Sequence, residues 1–453
     1  MLTSFLPTLR QVRRGDCELQ ALVPVEEINT AVAATDYRDR GTLYTAVSTI
    51  LTFLGQVLRA DRSCQRAVNA LAAQRLAAAQ APCSADTGGY CKARKRLPEA
   101  VCTRLMQQSG AKLEAEVPDA WRWQGRRVLL ADGSTLKIAD TAANRQEYPL
   151  QQGIVSGTSY PVVRILVLFS LAVAGVIDGL LRPYQGKGTG ETAMLRDLAD
   201  HFHPEDILLG DRYFSGYWDI AFWQRRSVDV VTRLSNNRTS DFRRGQRLER
   251  DDHLITWRRT ERPDWITREE AVDYPADLTL REVRVRVEVP GFRPDVIIVV
   301  TTLLDAEAYP ASAIAQLYRR RWQAELQLRD LKTQMGMEQL TTKSPALVRK
   351  EFAMYLLAYN CVRRITVQAA FAAGVQPWQI SFKGAWQSLT EFLARLHSCP
   401  DVATWLEALL ATAAQTQVGD RPDRHEPYRV KRRPKDFPFL QRPRAEYKRC
   451  HGA

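Results

Sequence analysis

Several patterns that would assign a chemistry at once are missing from this sequence of 453 residues. The eight cysteines contain no C-x-x-C pair, which argues against a structural zinc site, and their wide spread suits a reducing compartment. The six histidines are dispersed, and no serine or cysteine has an obvious base beside it. The stretch GKGTGE at 186–191 lacks the leading glycine of a phosphate-binding loop. Zinc-finger, triad and P-loop chemistry are therefore not expected.

A long hydrophobic run is also missing. The most apolar stretch, ILVLFSLAVAGVI at 165–177, is too short to span a bilayer. The N-terminal MLTSFLPTLRQVRRG lacks the apolar stretch of a signal peptide. We therefore expect a cytoplasmic protein with no membrane partner, in which the run at 165–177 forms two buried strands joined at its Ala-Gly pair.

Positive charge is what the sequence has in excess. The formal net charge is +13 and the isoelectric point is about 9.5, which indicates a polyanionic partner such as nucleic acid. A basic soluble enzyme without such a partner has the same composition, so charge alone leaves both interpretations open. A hydrophobic content of 45% with ten tryptophans indicates a globular chain, long enough for two to three domains.

The hydrophobic pattern changes character along the chain and predicts an α/β fold. Helical spacing dominates the first part, and apolar strands alternating with short helices begin near residue 127. A charged stretch with the strictly alternating REVRVRVEV interrupts this pattern, and the tail at 421–449 is rich in proline and basic residues. The expected divisions are a helical N-terminal region (1–120), the first part of an α/β core (121–234), a β-rich insertion (235–294), the second part of the core (295–372), and a C-terminal helical segment with the basic tail (373–453).

Two aspartates stand at the ends of predicted buried strands. Asp132 follows VLLA, and Asp211 follows ILLG. A carboxylate at the rim of a buried strand loses solvation, which is costly unless it is paired or binds a cation. The alternative is that each carboxylate only caps the turn after its strand through backbone N–H groups.

A third carboxylate lies in a cationic helix, YRRRWQAELQLRDLK. Tyr318, Arg321, Glu325 and Lys332 follow one another at intervals of three, four and seven residues, so a continuous helix would align them in one stripe. A neighbouring stripe would face the core and consists of Leu317, Ala324, Leu328, Leu331 and Met335. The alternative is a solvated helix face with ion pairs such as Arg321–Glu325 and Glu325–Arg329.

Phosphodiester chemistry would explain carboxylates among cations. Three carboxylates, Asp132, Asp211 and Glu325, can hold two Mg²⁺ ions about 4 Å apart, which activate a nucleophile and stabilise the leaving oxygen. The arginines and the lysine would hold phosphates beside the metals.

The motifs together resemble a known family. YRRRWQAELQLRDLK fits Y-x2-R-x3-E-x6-K and resembles the signature of bacterial DDE transposases of the insertion sequence four family. ADGST and GDRYFSG are similar to the two aspartate motifs of that family. TGGYCKARKRLP resembles a stretch upstream of the first aspartate, and YRVKRRPKDFPFLQRPR resembles the basic C-terminal segment. The resemblance runs from about residue 40 to residue 450.

This resemblance implies a fold and a catalytic centre. The fold would be α/β, with a ribonuclease H-like catalytic core that carries a β-rich insertion, preceded by an all-α N-terminal DNA-binding region. Asp132, Asp211 and Glu325 would be the catalytic residues and the ligands of two Mg²⁺ ions, for which Mn²⁺ would substitute. Tyr318 and Arg321 would grip backbone phosphate near the transposon end, where the family flips a base, and the basic Lys332 would contact DNA near the cleaved end.

Three tryptophans are candidates for stacking on DNA bases. Trp322 follows Arg321 on the helix of the signature, where an aromatic side chain can equally well serve packing. Trp257 and Trp265, in the insertion, are weaker candidates for contact with the flipped base.

The implied function is cut-and-paste transposition of a bacterial insertion sequence. The enzyme would bind terminal inverted repeats, cut DNA at the element ends, pass through a hairpin and join the 3′-OH to target DNA, as a homodimer in the synaptic complex at the nucleoid. A catalytically silent DNA-binding protein derived from a transposase, or a ribonuclease H-like nuclease, remains an alternative. Terminal repeats beside the gene would favour the transposase over the nuclease.

Overall fold

The computed structural model describes residues 17–40, 43–151, 159–287, 295–399 and 401–418, together with the single residues Glu446 and Arg449. Apart from these two residues, the predicted basic tail at 421–449 lies outside the described residues.

Helices account for much of the described chain. The α-helices are α1 (Val25–Ala33), α2 (Ala46–Leu58), α3 (Cys64–Ala77), α4 (Gly88–Arg96), α5 (Glu99–Ala115), α6 (Ala142–Glu147), α7 (Glu191–Asp197), α8 (Tyr217–Gln224), α9 (Arg268–Val272), α10 (Ala311–Arg319), α11 (Trp322–Arg329), α12 (Pro345–Ala373), α13 (Phe382–Leu393) and α14 (Val402–Gln415). Short 3₁₀ helices lie at Glu18–Ala21, Asp119–Trp121, Ala199–His201, Arg212–Phe214, Pro377–Gln379 and Leu396–Ser398, and a π-helical turn lies at Asp330–Gln334. No described helix combines the length and the apolar character needed to cross a membrane.

The strands join into one mixed sheet. They are β1 (Val128–Ile138), β2 (Val162–Ser170), β3 (Val176–Pro183), β4 (Ile207–Leu209), β5 (Asp229–Arg233), β6 (Gln246–Glu249), β7 (Asp252–Arg258), β8 (Asp277–Val287), β9 (Asp295–Thr301) and β10 (Gln339–Leu340). Their order is β3-β2-β1-β4-β5-β9-β8-β7-β6, and β10 pairs with the end of β1. The chain therefore has the predicted mixed α/β architecture.

Strand directions divide the sheet into two parts. β2 runs antiparallel to β1 and β3, whereas β4 and β5 run parallel to β1. β9 is antiparallel to β5 on one side and to β8 on the other. The strands of the predicted insertion, β6 to β8, therefore continue the central sheet through β9.

The two buried strands predicted for the apolar run are confirmed. β2 ends at Ser170 and β3 begins at Val176, and the turn between them contains the Ala-Gly pair. Residues of β2 are buried on both faces, because the strand lies between β1 and β3 with helices above and below.

Two hydrophobic cores cover the two faces of the sheet. The larger core contains Leu130 and Leu209 from one face together with Leu356 of α12. The smaller core contains the intervening Leu129 from the other face, with Trp223 of α8. Side chains that alternate along β1 and β4 therefore face different cores.

The N-terminal helices pack on α12 through polar contacts as well as apolar ones. The buried amine of Lys350 donates to the backbone carbonyls of Arg94 and Lys95 at the end of α4 (2.9 and 3.1 Å). Arg94 is itself buried, and its guanidinium lies over the rings of Phe53 and Tyr90. Within the basic stretch CKARKRLP, Arg94 therefore serves packing in the helical bundle.

Candidate active site

Asp132 and Asp211 lie close to the point where the pairing of two adjacent parallel strands, β1 and β4, ends. Leu130 of β1 is paired with Leu209 of β4, and this is where the described pairing between the two strands ends. Each aspartate follows its leucine by two residues. Because the side-chain direction repeats every second residue, Asp132 shares the face of Leu130, which belongs to the larger core. Asp211 lies just beyond β4, at the start of the 3₁₀ helix Arg212–Phe214.

The prediction that Asp132 ends its strand is wrong. β1 continues to Ile138, and Asp132 is paired with Val167 of β2 in the middle of the strand. The chain stays extended because β2 still supplies hydrogen-bond partners after β4 has ended. The feature that ends beside Asp132 is the neighbouring strand β4, whose described pairing with β1 stops at Leu130.

Both carboxylates accept a hydrogen bond from nearby backbone, but only Asp211 caps a turn after its strand, as the alternative interpretation proposed. Asp132 Oδ1 accepts the backbone N–H of Gly133 (3.1 Å), and Asp211 Oδ1 accepts that of Tyr213 (2.8 Å). The second bond fixes the start of the 3₁₀ helix Arg212–Phe214. The capping interpretation therefore holds for Asp211 alone.

The helix of the signature is not continuous, which corrects the prediction. α10 ends at Arg319, α11 begins at Trp322, and the backbone N–H of Arg321 bonds three residues back to the carbonyl of Tyr318 (3.0 Å). The turn between α10 and α11 contains no glycine or proline from which the break could have been predicted.

A π-helical turn then ends the segment. The backbone N–H of Met335 bonds five residues back to the carbonyl of Asp330 (2.9 Å), and Gly336 follows with φ of +72°. Arg62, from the N-terminal helices, donates to the Met335 carbonyl (2.7 Å) and lies where a Cβ on Gly336 would be. A tertiary contact therefore determines how this segment ends.

Burial of the apolar stripe is confirmed in spite of these interruptions. Each of its residues is at most 5% exposed: Leu317, Ala324, Leu328, Leu331 and Met335. The stripe seats α10 and α11 on the larger core, beside β1. The helix of Glu325 is thereby held beside β1, the strand that carries Asp132.

The ion pair between Arg321 and Glu325 forms as the alternative interpretation expected. Arg321 Nη2 lies 2.6 Å from Glu325 Oε1, and both side chains remain partly exposed. Lys332 does not join this ion pair. Its amine contacts β1, where it donates to Ser134 Oγ (2.8 Å), two residues from Asp132 on the same strand. Lys332 is therefore a neighbour of the carboxylates even though the helix is irregular.

The predicted site carboxylates affect one another's pKa values. Burial raises the pKa of Asp132 to about 7, against the opposing effect of Arg321, and Glu325, Asp211 and Glu191 raise it further. Burial also raises the pKa of Asp211, where the Tyr213 N–H and Arg321 oppose the rise and Glu325 adds to it. Arg321 is therefore a cation shared by the three predicted site carboxylates.

Tyr318 and the tryptophans differ in accessibility. Tyr318 is 8% exposed, and burial raises the pKa of its hydroxyl while Arg321 opposes the rise. Trp322 is 58% exposed, so its ring is not a packing residue of the core. Trp257 is 5% exposed and donates to Glu282 Oε1 (3.3 Å), so the interpretation of Trp257 as a base-stacking residue does not fit this structure. Trp265 is partly buried, with Arg196 over its ring at 3.8 Å.

The carboxylates suit a divalent cation by chemistry. Their oxygens are the ligands that Mg²⁺ prefers, and Asp132 forms no ion pair with a Lys, Arg or His of the described chain. Among the described residues, no group of three or more His, Cys, Asp or Glu side chains is arranged so that it could hold a metal ion. Glu325 is instead turned to Arg321.

Sequence reasoning did not single out Glu191 or Arg164. Glu191 begins α7, and its carboxylate lies 3.5 Å from Arg164 Nη1 of β2. Burial raises the pKa of Glu191, Arg164 opposes the rise, and Asp211 adds to it. Two features of the sequence could have pointed to Glu191. One is the glycine directly after Asp132, and the other is the position of the glutamate directly after a glycine-rich turn.

Replacing Asp132 with Asn is expected to change how stability depends on pH. The folded pKa of about 7 exceeds that of an unfolded aspartate near 4, so the folded protein binds the proton more tightly between these pH values. Ionisation of Asp132 therefore destabilises the fold as pH rises through that window. In EDTA, the free energy of unfolding of Asp132→Asn should exceed that of the wild type by an amount that grows by roughly 2–4 kcal/mol from about pH 4 to pH 8. Urea unfolding at several pH values measures this difference in free energy of unfolding. A difference that does not vary with pH would contradict the raised pKa of Asp132.

Comparisons with known proteins identify the family. A model of the transposase DDE domain family matches residues 123–361, which include Asp132, Asp211 and Glu325. The chain is 24% identical over 360 residues to the transposase InsG for insertion sequence element IS4 of Escherichia coli (strain K12), with 77% of each chain covered. It is also similar to the cryo-EM structure of a piggyBac transposase synaptic complex with hairpin DNA, at 12% identity and a TM-score of 0.43 over 89% of this chain and 85% of that one, a likeness too low to assign the fold. The resemblance seen in the sequence is confirmed: the chain belongs to the transposase DDE domain family, as a DDE transposase of the insertion sequence four family.

Proposed function

We propose that the chain is the transposase of a bacterial insertion sequence, which binds the terminal inverted repeats, cleaves DNA at the element ends and joins the 3′-OH to target DNA. The catalytic residues are Asp132, Asp211 and Glu325. One observation carries the proposal: each of the two aspartates follows by two residues the last pair of the β1–β4 ladder, Leu130 with Leu209, and the helix with Glu325 packs on the larger core beside β1.

We propose a ribonuclease H-like fold for the catalytic core. The strand order β3-β2-β1-β4-β5, with only β2 antiparallel to the other four, supports it. The core would comprise residues 121–234 and 295–372, and the β-rich insertion 235–294. The helical region 1–120 would bind DNA, and 373–453 would add the C-terminal helices and the basic tail.

The carboxylates would hold two Mg²⁺ ions, or Mn²⁺ in their place, through Asp132, Asp211 and Glu325. Bound divalent ions supply Lewis acidity and lower the pKa of a coordinated water. Arg321 keeps the Glu325 carboxylate at the site in the absence of DNA, and its guanidinium can exchange that carboxylate for a backbone phosphate. Tyr318, expected from the sequence to grip the same phosphate, is buried beside Arg321 and would contribute to that grip by orienting the guanidinium.

Lys332 and Trp322 would place the DNA end. The Lys332 amine is held at Ser134, two residues from Asp132 on β1, where a phosphate near the cleaved bond would replace the hydroxyl as its partner. Trp322 presents an open ring beside Arg321, suited to stacking on an exposed base. In each chemical step an incoming oxygen forms a bond to phosphorus as the bond to the leaving oxygen breaks. Water would attack first, the freed 3′-OH would then attack the opposite strand to give a hairpin, and after reopening it would attack target DNA.

Cleavage of a labelled duplex tests this function. The duplex carries the terminal repeat that flanks the gene, and the reaction contains Mg²⁺. We expect nicking at the repeat boundary and no comparable cleavage of a scrambled duplex. Cleavage of both duplexes alike would favour a ribonuclease H-like nuclease, and binding without cleavage would favour a silent DNA-binding protein. A homodimer acting at the nucleoid in the cytoplasm is proposed for the synaptic complex, and mass measurement with paired DNA ends would test the stoichiometry.

Trp322→Ala is expected to weaken binding of the DNA end about tenfold, since stacking of one base on an aromatic ring contributes about 1–3 kcal/mol. Trp378→Ala is the matched control, because Trp378 is similarly exposed (50% against 58%) but lies on the 3₁₀ helix Pro377–Gln379. Fluorescence anisotropy with an end bearing an unpaired base measures both variants. Equal affinities of the two variants would show that Trp322 does not stack on DNA.

A further inference from the structure

The hairpin at the edge of the sheet carries an excess of arginine. β6 is the last strand in the sheet order and pairs with β7. Residues 238–250, which include β6 and the turn before it, contain five arginines and two acidic residues: Arg238, Arg243, Arg244, Arg247 and Arg250, with Asp241 and Glu249. Charged side chains on an edge strand can prevent pairing with another chain, so the excess of charge alone does not identify a ligand.

The turn before β6, residues 240–245, is held against the insertion by side-chain contacts, and we call it the arginine turn. The ring of Phe242 stacks on the buried ring of His253 on β7, with 4.3 Å between the ring centres. His253 Nδ1 donates to the backbone carbonyl of Arg244 (2.7 Å), and Ser240 Oγ donates to the buried carboxylate of Glu282 on β8. The arginine turn is therefore attached to two strands.

The backbone of the arginine turn also requires a glycine at its last position. Gly245 has φ of +76°, in the left-handed region that favours glycine. A Cβ at Gly245 would lie 2.0 Å from the backbone carbonyl oxygen of Leu254 on β7, so a larger residue would displace the turn. The arginine turn is therefore packed on β7 through its backbone as well as its side chains.

The arginine turn directs two guanidinium groups into solvent. The side chains of Arg243 and Arg244 are 91% and 80% exposed, and Asp241 pairs with both of them, at 3.0 and 3.5 Å. Exposed ion pairs of this kind contribute little stability, so each guanidinium can exchange Asp241 for a phosphate. Because the backbone that carries them is already fixed, less conformational entropy is lost when they bind an anion.

We propose that the arginine turn is a contact surface for the backbone phosphates of duplex DNA, with Arg243 and Arg244 as the phosphate-binding residues. This proposal rests on the proposed function, since it assigns part of the DNA binding to the insertion. Guanidinium groups suit phosphate because they donate two parallel hydrogen bonds, and contacts to phosphate carry no sequence information. The surface therefore binds DNA of any sequence, and His253 and Gly245 act as positioning residues.

The salt dependence of DNA binding tests the proposal. Fluorescence anisotropy of the full chain with the terminal-repeat duplex and with a scrambled duplex gives the slope of log affinity against log salt concentration. Each phosphate contact contributes about 0.9 to that slope, so the double variant Arg243→Ala with Arg244→Ala should lower the slope by about 2 on both duplexes. Gly245→Ala keeps every charge and should also weaken binding, because the added methyl group displaces the turn.

The double variant Lys383→Ala with Arg395→Ala is the matched control. It removes two exposed cations, one on α13 and one just after it, and should keep the wild-type slope.

Two results would overturn the proposal. The first is a wild-type slope for Arg243→Ala with Arg244→Ala, shown to be folded by its melting curve; aggregation of that variant would then assign the arginines to protection of the sheet edge. The second is a loss of affinity confined to the terminal repeat, since phosphate contacts do not depend on sequence. If the wild type bound neither duplex, the proposed function itself would fail, and this surface with it.

Discussion

Glu325→Gln is expected to reduce cleavage at the repeat boundary by at least about 10³-fold, while binding of the same duplex changes by no more than about threefold. Glutamine has the size of glutamate and can still accept the hydrogen bond from Arg321, so the local packing is kept. The negative charge is lost, and with it the ability to hold a divalent cation. The change therefore separates catalysis from DNA binding.

Three further variants give this experiment its controls. Asp132→Asn and Asp211→Asn should lose cleavage to a similar degree. Glu338→Gln should cleave as the wild type does, since Glu338 is an exposed glutamate just beyond the same helical segment, and its side chain accepts a hydrogen bond from Thr333 that glutamine can also accept. Single-turnover cleavage with excess protein measures all four variants. Equal cleavage by wild type and Glu325→Gln would mean that Glu325 is an ordinary partner of Arg321 on a solvated helix face.

Arg281→Ala is expected to lower the free energy of unfolding by about 3–5 kcal/mol. Arg281, on β8, is fully buried and forms a two-pronged ion pair with Asp252 of β7, with Nε 2.8 Å from Oδ1. Its Nη1 also donates to the backbone carbonyl of Tyr309 (2.7 Å), two residues before α10. Removing the guanidinium leaves a buried carboxylate and a backbone carbonyl without their partner.

Arg284→Ala provides a comparison on the same strand. Arg284 pairs with Asp251 at 2.8 Å, but both side chains are more than one-third exposed, so the loss should be at most about 1 kcal/mol. The double variant Arg281→Met with Asp252→Leu should recover much of the stability lost by Arg281→Ala, because no unpaired charge is left buried. Urea unfolding measures the series. An effect of Arg281→Ala no larger than that of Arg284→Ala would show that the buried pair contributes little.

The Arg281 contacts matter for the proposed site as well. They join strands of the insertion to the segment that leads into α10, α11 and Glu325. Sequence reasoning treated the alternating REVRVRVEV as a strand with one polar face. Arg281 lies on the valine face of that strand and is completely buried, and its partner Asp252 of β7 is a contact that no local pattern reveals.

Local patterns predicted strands and buried faces well where a single element decides the outcome. The apolar run at 165–177 became β2 and β3, and the apolar stripe of the signature helix is buried. The break between α10 and α11 was not predictable, since it carries no glycine or proline. The position of Asp132 within β1 was also missed, because a strand ends where its partners end, and partners are remote in sequence.

By itself the sequence determined which side chains are available and the family to which the chain belongs. It contains the two aspartates, the glutamate and the cations at spacings that local periodicity can interpret. Only the tertiary structure decided their surroundings: the β1–β4 pairing ends two residues before Asp132 and Asp211, and packing on the larger core places the helix of Glu325 beside β1. It also brought Glu191 to Gly133 from the other face, since contact between segments far apart in the chain depends on pairing and packing, which spacing along one element does not encode.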